Sequence, residues 1–111
     1  MSRNKRRELD ELADAQFVYA GQRFRWNSEK ASVNFKKHGV RFEQACEVFF
    51  DPFLSLLDAT ADDEAREAVL GLTEGWTLLF VVHVIRERGV IRLISARRAT
   101  TGQRRIYEDN G

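Results

Sequence analysis

The ten residues Trp76–Ile85 read W-T-L-L-F-V-V-H-V-I. Apolar side chains fill both alternating faces, and valine and phenylalanine favour extended backbone. A strand that is apolar on both faces must be covered on both, so this stretch is expected at the centre of a sheet. Arg86–Gly89 then closes a hairpin into Val90–Thr101, V-I-R-L-I-S-A-R-R-A-T-T. Regular alternation puts Arg92, Ile94, Ala96 and Arg98 on one face and Ile91, Leu93, Ser95 and Arg97 on the other. A rigid strand carrying several guanidiniums can hold a polyanion, because each presents a planar fork of donors. It can equally be a charged edge strand that resists pairing with other chains.

The remaining elements follow from local signals. Residues 1–22 form an N-terminal extension, either a marginal helix with Leu9, Leu12, Ala13 and Gln16 on one face and Gly21 at its end, or a disordered arm. Phe24–Asn27 is a short strand. Asn27 or Ser28 caps a helix that runs to His38, and Gly39 ends it in the left-handed conformation. Lys30, Asn34 and Lys37 share a side of that helix, which can grip a phosphate or simply be solvated. His38 suits a helix C-terminus, where its charge favours the dipole. Arg41–Phe50 repeats Phe42, Ala45, Cys46 and Phe49 on a core-facing stripe and stops at Asp51-Pro52. Cys46 within that stripe reads as a packed small hydrophobe. Strands are expected at Phe53–Leu57 and Glu64–Leu72, with Glu74-Gly75 turning into the central strand. Thr100-x-x-Gln103 is a capping box that opens a short last helix carrying Arg104, Arg105 and Tyr107. The fold class is α+β, two N-terminal helices packed on a mainly antiparallel sheet with a short C-terminal helix.

The chain has 111 residues, one domain's worth, and a formal net charge of +1. That sum hides an asymmetry. Residues 51–77 hold seven acids against the single base Arg66, and residues 78–111 hold seven arginines against three acids. One cysteine excludes an internal disulfide, and no cysteine cluster, phosphate loop or Ser-His-Asp pattern is present. His38 and His83 stand far apart in sequence, which does not make a metal site. His83 inside an apolar strand reads first as a buried core residue. The longest apolar run, Leu78–Val82, is too short to span a bilayer. The charged start, with no apolar run after it, points to a cytoplasmic protein.

The runs F-R-W-N-S-E-K, N-F-K-K-H-G-V-R-F-E-Q-A and V-F-F-D-P, then E-A-R, L-G-L and R-L-I-S-A-R-R-A-T with Y-E, resemble the BrnT toxins of type II toxin–antitoxin systems over about residues 24–108. The resemblance implies a RelE-like microbial ribonuclease fold for a single toxin domain over 23–111. It implies an RNA-cleaving toxin that inhibits translation, no cofactor, and a BrnA-like antitoxin as partner, with DNA reached only through that antitoxin. The polar positions it matches are Lys30, Asn34, Lys37, His38, Glu64, Arg66, Arg92, Arg97 and Tyr107. The chain departs from the pattern at Asn27, where aspartate is usual, at Arg41, where Ser or Thr would cap the second helix, and at Gln103, where glutamate is usual. Losing that cap costs about 1 kcal/mol of helix stability.

RNA cleavage by its own 2′-hydroxyl needs that hydroxyl deprotonated, the five-coordinate phosphate stabilised and the leaving 5′-oxygen protonated. Clustered guanidiniums and ammoniums do the second without a metal. The expected catalytic residues are Arg97, Arg98, Arg66, His38 and Tyr107, with His83 a further proton carrier if it reaches the surface. The expected RNA contacts are Lys30, Asn34, Lys37, Arg92 and Arg104. The substrate is RNA, free or ribosome-bound. The competing reading is a non-catalytic homologue that binds an antitoxin and co-represses its operon.

Overall fold

A computed structural model describes residues 14–60 and 64–110. Strands β1 (Asp14–Tyr19) and β2 (Gln22–Asn27) lead into helix α1 (Ser28–His38). Helix α2 (Phe42–Ala45) continues as a 3-10 turn over Cys46–Phe50. Strands β3 (Ser55–Asp58), β4 (Glu67–Leu72), β5 (Leu78–Ile85) and β6 (Ile91–Arg98) follow, and helix α3 (Thr101–Asn110) closes the order. The sheet runs β1-β2-β6-β5-β4-β3. All its pairs are antiparallel except β2 with β6. The class is α+β, and β5 occupies the middle of the sheet with Leu79 and Val81 fully buried.

The expected order of elements needs correction. The two helices do not begin the domain, because a β-hairpin precedes them. Ala20 and Gly21 have φ of 50° and 83°, the left-handed pair that a two-residue hairpin turn requires. Gly21 therefore turns a hairpin and ends no helix. Residues 14–19, read as helix or disordered arm, alternate instead. Ala15, Phe17 and Tyr19 pack against the core, while Gln16 and Val18 point away from it. Leu9, Leu12 and Ala13 lie outside the described residues.

Local signals at α1 act as expected. Asn27 Oδ1 accepts from the Lys30 N–H at 3.0 Å, and Gly39 takes φ 70° as the left-handed cap. Arg41 starts α2 with no side-chain cap, and that helix makes only one turn before tightening. Gly71 accommodates the tight turn, since a Cβ there would lie 2.8 Å from the Val48 carbonyl oxygen. The core lies between this helical layer and one sheet face. Phe24, Trp26, Phe42, Val48, Val69 and Leu93 are among its members. α3 lies at the other face. Asn110 bonds Ser55 Oγ at 3.2 Å, and register carries Ser55 through Leu70 to Phe80 on that side. Among the described residues no helix is long and apolar enough to cross a membrane.

The regular alternation expected for the arginine strand is broken. Val82 pairs with Ser95, but His83 pairs with Leu93, which leaves Ile94 as an extra, bulged residue. Paired residues of antiparallel strands share a face. Arg92, Ser95 and Arg97 therefore lie with Val84, Val82 and Phe80 on the face away from the helical core. Ile91, Leu93, Ala96 and Arg98 lie on the core side.

Candidate functional site

β6 lies beside α1, and a cleft of about 410 Å³ opens between them. Lys30, Asn34, Lys37 and His38 line it from the helix, Asn27 and Glu29 from the helix start, and Ile94 and Ser95 from the strand. Helical spacing produces this set, since position 34 lies four after 30, three before 37 and four before 38, which puts them along one side. Sequence reasoning missed Glu29, Ser95 and Ile94. Only the bulge turns the last two into the cleft, and nothing local in the strand announces it.

Arg97 continues the cleft along the same sheet face, about 7 Å beyond Ser95 by strand rise. Its guanidinium lies over the Phe80 ring, 4.6 Å from the centroid. It donates to Gln103 Oε1 at 3.0 Å and to the Arg98 carbonyl at 3.2 Å. Gln103 Oε1 also accepts from the Thr100 N–H at 2.9 Å, and the Gln103 N–H returns to Thr100 Oγ1 at 3.1 Å. The capping box thus fixes the helix start and the arginine together.

Other expected site residues are engaged elsewhere. Arg92 shares the face but forms a two-pronged ion pair with Asp14. Asn34 is 6% exposed and has its amide bonded inside the protein, to Val40 and Ala96. Arg98 is exposed on the core-side face and makes no side-chain hydrogen bond or ion pair among the described residues. Arg104 is exposed on the first turn of α3.

Arg66 is not brought to Arg97. Its neighbour Glu67 pairs with His83 and Arg97 pairs with Phe80, so the two arginines stand about 14 Å apart along the strands and two strands apart across them. Arg66 instead donates to Glu64 at 2.7 Å and lines a separate cleft of about 550 Å³ with Asp58, Glu67 and His83.

The proton carriers separate clearly. His83 is 2% exposed, packs edge-on against Phe49 and lies 3.5 Å from Glu67. Burial holds its pKa below the ordinary value, against the pull of the Glu67 charge. Tyr107 donates to Asp51 Oδ2 at 2.5 Å. Burial, then that bond and the Asp51 charge, push its hydroxyl up to about 12. A phenol so held keeps its proton. His38 is half-buried in the cleft wall beside Lys37 and is the proton carrier that faces the cationic groups.

The chain is similar to known proteins in sequence and in fold. A family described as ribonuclease toxin, BrnT, of type II toxin–antitoxin system matches residues 26–102. The crystal structure of the Brucella abortus ribonuclease toxin BrnT superposes with a TM-score of 0.55 at 22% identity, covering 68% of this chain and 94% of that one. No curated protein sequence matches.

Proposed function

This chain belongs to the BrnT family of ribonuclease toxins of type II toxin–antitoxin systems, and on that premise we propose that it cuts RNA in the cleft between α1 and β6 without a metal, by attack of the 2′-hydroxyl on the adjoining phosphate. The observation that carries this reading is the convergence of Lys30, Lys37 and His38 with Ser95 in one cleft, with Arg97 oriented on the same face just beyond it.

The residues divide the work by chemistry. Lys30 and Lys37 attract the RNA backbone as mobile point charges, and Arg97 offers its planar fork to the two non-bridging oxygens of the reacting phosphate. As the phosphate becomes five-coordinate its charge grows, and a guanidinium already held in place needs no reorganisation to meet it. His38 takes the 2′-hydroxyl proton or delivers one to the leaving 5′-oxygen. The other transfer is made with solvent. Among the described residues no three His, Cys, Asp or Glu side chains gather in a way that could hold a metal. A RelE-like frame belongs to the same proposal, supported by the helical layer ahead of the antiparallel β3–β6 strands. A BrnA-like antitoxin would mask the basic face. The second reading, a homologue that only binds antitoxin, is favoured by the internal engagement of Arg92 and Tyr107.

The test is cleavage of matched all-ribose and single-2′-deoxy oligonucleotides in excess chelator, with end-group analysis. Cleavage of the ribose substrate alone, leaving a 2′,3′-cyclic phosphate, is expected. Cutting of the deoxy substrate, or loss of activity in chelator, refutes the scheme. If neither is cut, growth arrest on expression separates a ribosome-dependent nuclease from the antitoxin-binding reading.

A further inference from the structure

The parallel ladder between β2 and β6 ends after two residue pairs, Phe24 with Ile91 and Arg25 with Arg92. Beyond that point, among the described residues, the edge of β6 that faces away from β5 has no strand beside it. Buried peptide groups need partners, and Ala96, with no exposed surface, has both of its groups turned to this edge. The Asn34 side chain supplies both partners. Its Oδ1 accepts from the Ala96 N–H at 3.0 Å, and its Nδ2 donates to the Ala96 carbonyl at 2.9 Å. A side-chain amide here does what a neighbouring strand's peptide groups would do. The second Nδ2 hydrogen goes to the Val40 carbonyl at 3.1 Å, in the link between α1 and α2.

We propose that Asn34 is the positioning residue of the cleft, a clasp that sets the α1 wall at fixed distance and angle from the β6 wall. The inference rests on the cleft being the site of RNA cleavage. Asn34 lies four residues after Lys30, three before Lys37 and four before His38, so these groups ride on its anchor. On the strand it grips Ala96, the residue between Ser95 and Arg97. One side chain therefore ties the cations of the helix to the arginine of the strand at the midpoint of each wall. Its three hydrogen bonds leave no donor for RNA.

The chemistry is specific to asparagine. An ionised aspartate at 34 keeps an acceptor for the Ala96 N–H but has no donor for the Ala96 carbonyl. A protonated aspartate regains one donor and restores the two-way bond. Leucine fills similar space and can do neither. The titratable groups around position 34, namely Glu29, Lys30, Lys37 and His38, are the same in the parent and in each variant, so the ratio of variant to parent activity isolates residue 34.

The experiment compares Asn34→Asp and Asn34→Leu with the parent protein by thermal melting, by amide exchange at Ala96, and by kcat and KM on a ribose oligonucleotide from pH 5 to pH 8. Expected for N34D is a kcat at least tenfold below the parent at pH 8 with KM changed much less. The gap should narrow several-fold toward pH 5, while Ala96 stays protected in N34D, whose carboxylate still accepts from its N–H, and loses protection in N34L. N34L should lose kcat at every pH with no recovery. A folded N34D with parental kcat at pH 8, or unchanged Ala96 protection in both variants, overturns the clasp. So does failure of both variants to fold at any pH, which would make Asn34 a stability residue only. If the parent cuts no RNA, the cleavage reading fails by itself. The clasp is then judged by exchange at Ala96 and by amide shifts along Lys30–His38, where parental values in N34L refute it.

Discussion

Arg97→Ala tests the site most directly, and the structure sets the size of the effect. The substitution removes a cation–π contact at a half-buried position, about 0.5–1 kcal/mol. It also removes two hydrogen bonds, to Gln103 Oε1 and the Arg98 carbonyl, worth roughly 1 kcal/mol each before water replaces them. Gln103 keeps its bond from the Thr100 N–H, so no buried polar atom is orphaned. The net destabilisation is therefore about 1–2 kcal/mol, a fall in melting temperature of roughly 5–15 °C for a domain of this size. The protein remains folded at assay temperature. On the proposed mechanism the expected catalytic effect is much larger, because a pre-oriented donor facing developing charge contributes about 10²–10³ in kcat.

The assay is single-turnover cleavage of a ribose oligonucleotide, with melting curves taken on the same samples. Arg97→Lys sharpens it. Lysine keeps the charge but loses the planar fork and the stack on Phe80, so its kcat should fall between the parent and the alanine variant while RNA affinity stays close to parental. A folded R97A with kcat within threefold of the parent refutes the placement of chemistry at this end of β6.

Two further outcomes concern stability. Asp51 accepts from Tyr107, Leu72 and Phe53, and although burial pushes its pKa up, these bonds outweigh it and hold the pKa below the ordinary carboxylate value. A depressed folded-state pKa contributes stability above the unfolded value near 4 that is lost as pH falls through the folded one. Asp51→Asn should thus be about 2–3 kcal/mol less stable at pH 7, with a smaller gap at pH 3 in chemical denaturation. A gap independent of pH would mean the charge contributes nothing. Gly71→Ala puts a Cβ 2.8 Å from the Val48 carbonyl oxygen, an overpacking that should cost about 1–3 kcal/mol. An unchanged melting temperature would contradict that close approach.

Where one residue type in one pattern has one physical outcome, the sequence was readable. Leu78–Val84 could only be interior sheet, although Trp76 and Thr77, expected in the same strand, fall in the turn before it, with Trp76 80% exposed at φ 67°; Gly39 could end α1, and Thr100 with Gln103 could cap α3. The hairpin over residues 14–27 was missed because Ala20-Gly21 serves equally as a helix stop and as a turn. The site was harder, since its key relation is between segments. Ile94 looks like any strand residue, and only pairing against β5 reveals it as the bulge that puts Arg92 and Arg97 on one face. Arg66 is expected beside Arg97 until the antiparallel path from β4 through β5 to β6 carries it to the other end of the sheet. Asn34 between two lysines reads as a contact for phosphate, and its true partner is an unpaired strand edge 62 residues away.

The same geometry decides which arginine can meet an anion. Arg92 is oriented, but its charge is matched by Asp14, and Arg66 is likewise held by Glu64. A guanidinium already bound to a carboxylate presents little net field to a second anion, and freeing it requires breaking the pair. Arg98 keeps its charge but nothing among the described residues fixes its side chain, so ordering it on binding would cost side-chain entropy. Arg97 alone among these four combines both conditions. A neutral amide, a carbonyl and an aromatic face hold it in place, and none of them neutralises it. The glutamine at 103 matters for this reason. It provides the cap and the orientation that a carboxylate would provide, and leaves the positive charge of Arg97 unneutralised.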